Sequence, residues 1–139
     1  MKAAAEQHQA QNTHDRIDPR LVGTPARIVE GEAEVQLTTV PEMAADERGL
    51  VHGGFIFGLA DYAAMLAINH PNVVLGGAEM RFLKPVVVGD ALVASARRRP
   101  VEGKKLMVDA EVKRDGVVVF TGVFTCFTPK RHVLENSPG

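Results

Sequence analysis

The sequence predicts an α+β fold in which an antiparallel sheet of five or more strands wraps around one long central helix. Residues 55–68 are apolar on every side of a helix except for one carboxylate, Asp61, and a helix that is apolar all round has to be enclosed. One strand-like run precedes this helix and four follow it. The last runs are joined by short turns, which favour antiparallel pairing.

The elements follow one another with recognisable boundaries. Residues 27–40 carry spaced aliphatic side chains and are predicted to form one strand, which ends at Pro41. The charged stretch 41–50 is a loop, and the helix covers residues 53–69 before the His-Pro-Asn run ends it. The four later strands are predicted at residues 73–85, 91–99, 105–114 and 117–128.

The chain of 139 residues is long enough for one domain with a hydrophobic core. We expect a flexible N-terminal segment over residues 1–18, a single domain over 19–129 and a flexible tail over 130–139. Sixteen basic and 17 acidic residues give a formal charge of −1, which favours neither nucleic acid nor a membrane as a partner.

The compartment is predicted from what the sequence contains. The start of the chain has no apolar core typical of a signal peptide, and the apolar helix is shorter than the roughly 20 residues that span a bilayer. The single cysteine, Cys126, cannot form an internal disulfide and is expected to be a small buried side chain. We therefore expect a cytoplasmic protein.

The most informative stretch is the glycine-rich turn before the helix together with Asp61 inside it. A helix start offers free N–H groups at a positive end, where a developing oxyanion can bind. An ionised carboxylate among apolar side chains is costly unless it has a partner or a chemical role. The alternatives are that Asp61 lies on a wet stripe or pairs with a buried base, and that His52, Gly53 and Gly54 only shape the turn.

Four short motifs resemble those of a known family. They are His-Gly-Gly at 52–54, Leu-Ala-Asp at 59–61, Arg-Phe-Leu-Lys-Pro at 81–85 and Gly-Asp at 89–90. Together they resemble the hotdog-fold thioesterases, and in particular the PaaI-like branch of the phenylacetic acid pathway. The resemblance covers roughly residues 20–128.

The resemblance implies hydrolysis of acyl-CoA thioesters without a metal or other cofactor. It implies that the Gly53 N–H polarises the thioester carbonyl, that Asp61 is nucleophile or general base, and that His52 helps to fix the loop. It also implies a homodimer with two composite sites, possibly paired again into a dimer of dimers.

Helix geometry independently favours a composite site. Gly53 and Asp61 are eight residues apart, which corresponds to about 12 Å along the axis and about 80° around it. One carbonyl carbon cannot be within the roughly 3–3.5 Å of both groups that a reaction requires. We therefore expect Asp61 to come from the second subunit.

Further residues are candidates for substrate binding. Gly54 lies beside the predicted oxyanion donor, and Glu79 and Arg81 share one strand face. Glu79 and Arg81 could equally form a surface ion pair, and related proteins often carry a smaller or uncharged residue near Glu79. Arg81 and Lys84, like the arginines at 97–99, could bind coenzyme A phosphates or belong to a solvated face.

Other functions compete with hydrolysis. One is a non-catalytic acyl-CoA-binding or sensing domain, as in the fatty-acid-synthesis repressors that bind malonyl-CoA. Those usually carry Asn at the position of Asp61 and a preceding DNA-binding segment, for which the first twenty residues here are too few. A dehydratase would need a His base on the helix, whereas His52 precedes it, and a dimeric scaffold would leave Asp61 unexplained. Phe55, Phe57 and two methionines could line the wall of a substrate pocket or belong to the core. The acyl group could therefore be aryl, short-chain or medium-chain.

Overall fold

The computed structural model describes residues 7–136. Two helices, α1 and α2, and six strands, β1 to β6, build the domain. In chain order they are α1 Pro19–Val22, β1 Thr24–Val29, β2 Glu32–Thr38, α2 Gly53–Ile68, β3 Val74–Phe82, β4 Ala91–Arg98, β5 Leu106–Arg114 and β6 Val117–Phe127.

The strands form one sheet in the order β1-β2-β4-β5-β6-β3, and every neighbouring pair is antiparallel. The long helix α2 packs across one face, in contact with each of the six strands. This arrangement confirms the predicted fold, a sheet wrapped around one central helix. It is the hotdog fold.

The prediction of a single strand over residues 27–40 was wrong. That region forms the β1–β2 hairpin, with Glu30 and Gly31 between the strands. Gly31 has a φ of +76°, a conformation that costs glycine little and that a tight hairpin turn needs. The glycine between two aliphatic runs was the available signal, and β1 starts at Thr24, earlier than predicted.

The core lies between α2 and the inner face of the sheet. Inward and outward side chains alternate along the strands, so that β2 buries Ala33, Val35 and Leu37 and exposes Gln36 and Thr38. Alanines at inward positions of β2, β4 and β5 let the helix approach closely. The middle and the second half of α2 are almost fully buried at Leu59, Ala60, Tyr62, Ala63, Ala64, Met65, Leu66 and Ala67.

The C-terminal end of α2 is closed by a polar cap. Asn69 adopts the left-handed conformation with a φ of +54°, and its N–H donates to the Met65 carbonyl at 2.8 Å. Its side-chain oxygen accepts from the Asn12 N–H at 2.8 Å, and its amide donates to the Ala10 carbonyl at 2.9 Å. Asn69 thus caps the helix, and the partners of its side chain come from the polar segment before α1.

The same N-terminal segment also reaches β1, an edge of the sheet. The Gln9 N–H donates to the Ile28 carbonyl at 2.7 Å, and the Ile28 N–H donates to His8 Nε2 at 3.4 Å. Nearby, Gln11 donates to the Tyr62 hydroxyl at 2.9 Å. The opposite edge is β3, which pairs only with β6 among the strands of the described chain.

Within residues 7–136, none of the helices combines the length and the apolarity that crossing a bilayer requires.

Candidate functional site

The start of α2 is held by the loop before it. The Val51 N–H donates to the Val86 carbonyl at 2.8 Å, and the His52 N–H donates to the Met43 carbonyl at 2.9 Å. His52 is the N-cap residue in extended conformation, with a φ of −62° and a ψ of 133°, and its side chain makes no capping hydrogen bond. The helix therefore begins at a fixed place, and its N-cap residue leaves the first N–H groups without a side-chain hydrogen bond.

The two glycines leave backbone N–H groups free at this end. The first N–H groups of an α-helix have no intrahelical acceptor, and those of Gly53 and Gly54 donate to no other backbone carbonyl in the described part of the chain. Together with the helix dipole, they form a set of donors suited to an anion.

Close neighbours explain why glycine occupies both positions. A Cβ at Gly53 would lie 3.1 Å from the Phe82 ring, and a Cβ at Gly54 would lie 3.1 Å from His52 Nε2. The His52 ring also packs edge-on against Phe55, with centroids 6.2 Å apart. His52 is thus in a position to shape the turn, which is the contribution the family resemblance implies.

Asp61 is the second component of the site. Its Oδ1 is buried, and no group among residues 7–136 forms a hydrogen bond with it. Burial raises the pKa of Asp61 from 3.8 to about 6, because a carboxylate loses its hydration in an apolar environment. One alternative was that Asp61 pairs with a buried base. In the described chain no base forms a hydrogen bond with its buried oxygen.

A buried thiol and an aromatic pair lie on the same side of the sheet as Asp61. Cys126, on β6, is fully buried, and burial together with the nearby charge of Asp61 raises the pKa of its thiol to about 12. The thiol is therefore protonated at neutral pH and is not a nucleophile. One turn before Asp61, Phe57 packs on Phe124 with ring centroids 5.6 Å apart.

Gly53 and Asp61 lie at opposite ends of β3. Gly53 is beside Phe82, the last residue of that strand. Phe57 packs on Phe124, whose partner across the ladder is Ala78, and Asp61 lies one helical turn beyond Phe57, toward the start of β3. The oxyanion donors and the carboxylate of one chain are thus separated along the helix, as the spacing predicts.

The predicted substrate-binding side chains are divided between two faces. Ala78 and Met80 point toward the helix side of β3, so the intervening Glu79 and Arg81 point to the outer face of the sheet. Lys84 is exposed in the segment after β3, close in sequence to Phe82. Within one chain only Gly54 and Lys84 lie at the helix-start end, and the roles of all four residues stay predictions.

The outer face carries a broad polar groove of about 1060 Å³ that crosses all six strands. Arg97 pairs with Glu32 at 3.2 Å, and Arg99 forms two hydrogen bonds with Asp109. These ion pairs match the alternative of a solvated face. Asp61 does not line the groove, and no group of His, Cys, Asp or Glu in the described residues has a geometry able to hold a metal ion.

Comparison with known proteins identifies the family. A family model described as the thioesterase superfamily matches residues 48–121, more than half of the chain. This chain belongs to the thioesterase superfamily. The matched region contains the helix start, Asp61, the whole of β3, β4 and β5, and the first part of β6.

Solved structures agree over most of the chain. The uncharacterized protein PH1136 from Pyrococcus horikoshii aligns with a TM-score of 0.90 at 55% identity, covering 92% of this chain and 98% of that one. The PaaI protein from the E. coli phenylacetic acid degradation operon aligns with a TM-score of 0.73 at 26% identity, covering 81% and 83%. The resemblance to PaaI-like hotdog thioesterases is therefore confirmed.

Curated relatives carry other names and are longer. A protein of Aquifex aeolicus named methylthioribose-1-phosphate isomerase is 54% identical over 112 residues, which are 81% of this chain and 25% of that protein. A protein of Caldanaerobacter subterraneus named transcription factor FapR is 35% identical over 83 residues, 60% of this chain and 42% of that protein. This chain therefore spans a quarter of the length of the first relative and less than half of the length of the second.

Two components of the site were not predicted from the sequence. Phe82 packs against Gly53, and the Phe57–Phe124 pair adjoins Asp61. Both contacts join the helix to strands that lie far from it in sequence. Phe57 was predicted only as a wall or core residue, and nothing local in the sequence predicts which strand it contacts.

Proposed function

We propose that this protein hydrolyses acyl-CoA thioesters to a free acid and coenzyme A. The observation that carries the proposal is Asp61, whose unbonded oxygen lies in an apolar part of the fold with a pKa of about 6. At neutral pH such a carboxylate is ionised but poorly solvated, which suits a nucleophile or a general base. Membership in the thioesterase superfamily supports the same chemistry.

The roles of the groups follow from their chemistry. The N–H of Gly53, aided by the helix dipole and the adjacent Gly54, stabilises the negative oxygen of the tetrahedral intermediate. Asp61 attacks the thioester carbon or removes a proton from the water that does so. The thiolate of coenzyme A then leaves with the electron pair of the broken C–S bond. In the nucleophile route, water next hydrolyses the mixed anhydride between the acyl group and Asp61 to the free acid. In the base route, the proton held by Asp61 passes to the thiolate or to solvent. His52 supports the turn that presents these N–H groups.

The open β3 edge supports a homodimer with shared sites. Two strands related by a two-fold axis pair antiparallel, so the start of one β3 would lie beside the end of the other. Asp61 adjoins the start of β3 and Gly53 adjoins its end, so the pairing brings Asp61 toward the partner's Gly53. The exposed apolar side chains of Phe82 and Leu83, 52% and 50% accessible, would be covered in the same interface.

The decisive experiment is release of free thiol from a panel of acyl-CoAs by the wild type and by Asp61→Asn. Loss of the nucleophile or base is expected to reduce kcat by about 10²–10⁴-fold, and wild-type kcat/KM should fall as the pH drops below about 6. Asp115→Asn is the matched control, because it makes the same substitution at an exposed residue of the β5–β6 turn, outside the candidate site. Equal rates for wild type and Asp61→Asn would overturn the proposal.

The shared site is tested separately by mixing two inactive variants. A Gly53 variant that has lost the oxyanion donor and Asp61→Asn each disable both sites of their own homodimer. A mixed dimer contains one site with both intact groups, so activity should reappear after the two proteins are unfolded and refolded together. No recovery, with mixed dimers verified by mass spectrometry, would contradict a site shared between subunits.

A second candidate function is an acyl-CoA-binding domain that senses rather than hydrolyses. The relative named transcription factor FapR favours this candidate, and the match covers less than half of that relative's length. Tight binding of an acyl-CoA by the wild type without thiol release, measured by calorimetry, would select sensing over hydrolysis.

A further inference from the structure

The Gly-Asp motif lies in the segment between β3 and β4, and the proposed reaction gives it no role. The motif ends a tight turn, in which Gly89 has a φ of +97°. Asp90 closes this turn in both directions. Its N–H donates to the Val87 carbonyl at 3.1 Å, and its carboxylate Oδ2 accepts from the Val87 N–H at 2.9 Å. The side chain of Asp90 is therefore part of the hydrogen bonding that shapes the segment.

Arg114, the last residue of β5, holds the same segment from the other side. Its Nη1 donates to the Pro85 carbonyl at 2.6 Å and to Asp90 Oδ2 at 3.2 Å. Both charged side chains are partly buried, with exposed fractions of 27% for Arg114 and 20% for Asp90, so salt screens this pair less than it screens an exposed pair. We call Arg114, Asp90 and the Pro85 carbonyl the Arg114 clamp.

The residue next to Pro85 supports the start of the central helix. Val86 is fully buried, and its carbonyl accepts from the Val51 N–H at 2.8 Å. Farther along, the Val88 N–H donates to the Gly49 carbonyl at 2.9 Å. The turn before α2 is thus paired with the segment that the Arg114 clamp holds. Because Gly53 follows Val51 by two positions, the place of its N–H depends on this pairing.

A buried threonine holds the end of the segment independently of the clamp. The Thr39 hydroxyl donates to the Val87 carbonyl at 2.9 Å, and the Thr39 carbonyl accepts from the Gly89 N–H at 3.1 Å. Neither bond involves Arg114. Loss of the clamp should therefore loosen the segment around Pro85 and Val86 while the turn at residues 87–90 keeps its attachment to the sheet.

We propose that Arg114 and Asp90 are positioning residues, which fix the Gly53 N–H where it can bond a developing oxyanion. The inference rests on the proposed function and adds two residues to it. Both act through the backbone of Val86 and Val51 and not through contact with the substrate. An oxyanion donor must lie about 2.7–3.1 Å from the oxygen that it stabilises, and a displacement of about 1 Å can cost about 10²-fold in rate.

The first test is Arg114→Met, which keeps an unbranched side chain and removes the donors. It should lower kcat for acyl-CoA hydrolysis by about 10-fold and change KM by less than about 2-fold, because the displaced donor acts mainly on the transition state. Arg114→Lys should recover kcat to within about 3-fold of the wild type, since one ammonium group can donate to both acceptors. A wild-type kcat in Arg114→Met would overturn the inference.

Lys113→Met is the matched control for Arg114→Met. Lys113 is the preceding residue of β5, is exposed and forms an ion pair with Glu111 at 3.3 Å. Its substitution removes a cation and an ion pair without touching the segment between β3 and β4, so kcat should equal that of the wild type. A loss as large as that of Arg114→Met would overturn the assignment to the clamp.

A double-mutant cycle tests whether the clamp acts through the oxyanion donor. Gly53→Pro removes the N–H itself, so in that background the loss caused by Arg114→Met should shrink from about 10-fold to less than about 2-fold. All rates are taken per folded molecule, as measured by circular dichroism. A loss that multiplies in full in the Gly53→Pro background would show that Arg114 does not act through this donor, and would overturn the inference.

Asp90→Asn replaces Arg114→Met if that variant does not fold. Its amide oxygen can still accept from the Val87 N–H, but the charge that pairs with Arg114 is lost, so kcat should fall by about 3-fold. Asp115→Asn, the same substitution at an exposed residue, should keep the wild-type kcat. In that case, equal kcat values for the two variants would overturn the inference.

Failure of the proposed reaction is distinguishable from failure of this inference. If the wild type releases no thiol from any acyl-CoA, hydrolysis is disproved, and amide hydrogen exchange measured by NMR tests the clamp instead. The Val51 N–H, which is bonded to the Val86 carbonyl, should exchange about 10-fold faster in Arg114→Met than in the wild type or Lys113→Met. An unchanged exchange rate at Val51 would overturn the inference.

Discussion

The two ends of α2 are built in opposite ways. At the C-terminal end, Asn69 satisfies the last turn and its side chain bonds the backbone of Ala10 and Asn12. At the N-terminal end, the N–H groups of Gly53 and Gly54 have no backbone acceptor in the described chain, and His52 adds no side-chain cap. One end of the same helix is closed by polar contacts while the other presents free donors.

This difference indicates that the two ends of α2 have different roles, one in stability and one in ligand binding. Unsatisfied groups at a helix end cost stability, and most proteins satisfy them with caps. The closed end therefore contributes to stability, whereas the open end is available to a ligand. If so, substitutions at the two ends should affect different measurements.

The largest expected effect is on catalysis, at the open end. Gly53→Pro removes the N–H at the first helical position, where proline is tolerated, and the extended His52 is compatible with a following proline. Loss of this donor should reduce kcat for acyl-CoA hydrolysis by about 10²–10³-fold.

Gly53→Ala is the matched control for that substitution. It introduces the same close approach to the Phe82 ring, 3.1 Å from the new Cβ, but keeps the N–H. Its loss of activity should be much smaller than that of Gly53→Pro. Equal losses would show that the crowding of Phe82, and not the donor, is responsible.

A smaller effect, on stability, is expected at the closed end. Asn69→Ala leaves the Asn12 N–H and the Ala10 carbonyl without their partner and places alanine in a left-handed conformation. The free energy of unfolding in urea should fall by about 2–4 kcal/mol, with kcat/KM unchanged for the folded protein. Asn69→Gly removes the hydrogen bonds without the backbone strain, so its free energy of unfolding should lie between those of the wild type and Asn69→Ala. A change in kcat/KM as large as that of Gly53→Pro would remove the distinction between the ends.

The smallest expected effect is a gain in stability from Asp61→Asn that depends on pH. The pKa of Asp61 is about 6 in the folded protein and 3.8 without burial, so wild-type stability is lowered above pH 6 and recovers as the pH falls toward 4. Because Asp61 is only half-buried, we expect Asp61→Asn to be more stable by about 1–3 kcal/mol at pH 8.

Near pH 4 that advantage should disappear, because the wild-type carboxyl is then neutral. Thermal unfolding of both proteins at pH 4 and pH 8 measures the difference, with Glu79→Gln as the control for neutralising an exposed carboxylate. A variant that is less stable than the wild type at pH 8 would show that the charge of Asp61 is stabilised in the fold.

The sequence predicted the central helix, its boundaries and the antiparallel sheet because these depend on local periodicity and turn residues. Asp61 was identifiable because a single charge interrupts an otherwise apolar helix. The Phe82 contact with Gly53 and the packing of Phe57 on Phe124 were not predictable, because they depend on strand order. The contacts of residues 9–12 with Asn69 were missed for another reason, namely that a polar composition carries no periodic signal.

The unequal protection of the two sheet edges limits how copies of this protein can assemble. At β1, the outward N–H and carbonyl of Ile28 are already bonded to residues 8 and 9, which hinders a further strand from adding there. Among the strands of the described residues, strand addition is thus favoured at β3. In the proposed homodimer, two copies joined along β3 would use up the open side of each, so that strand addition would stop at a pair instead of continuing into a fibril.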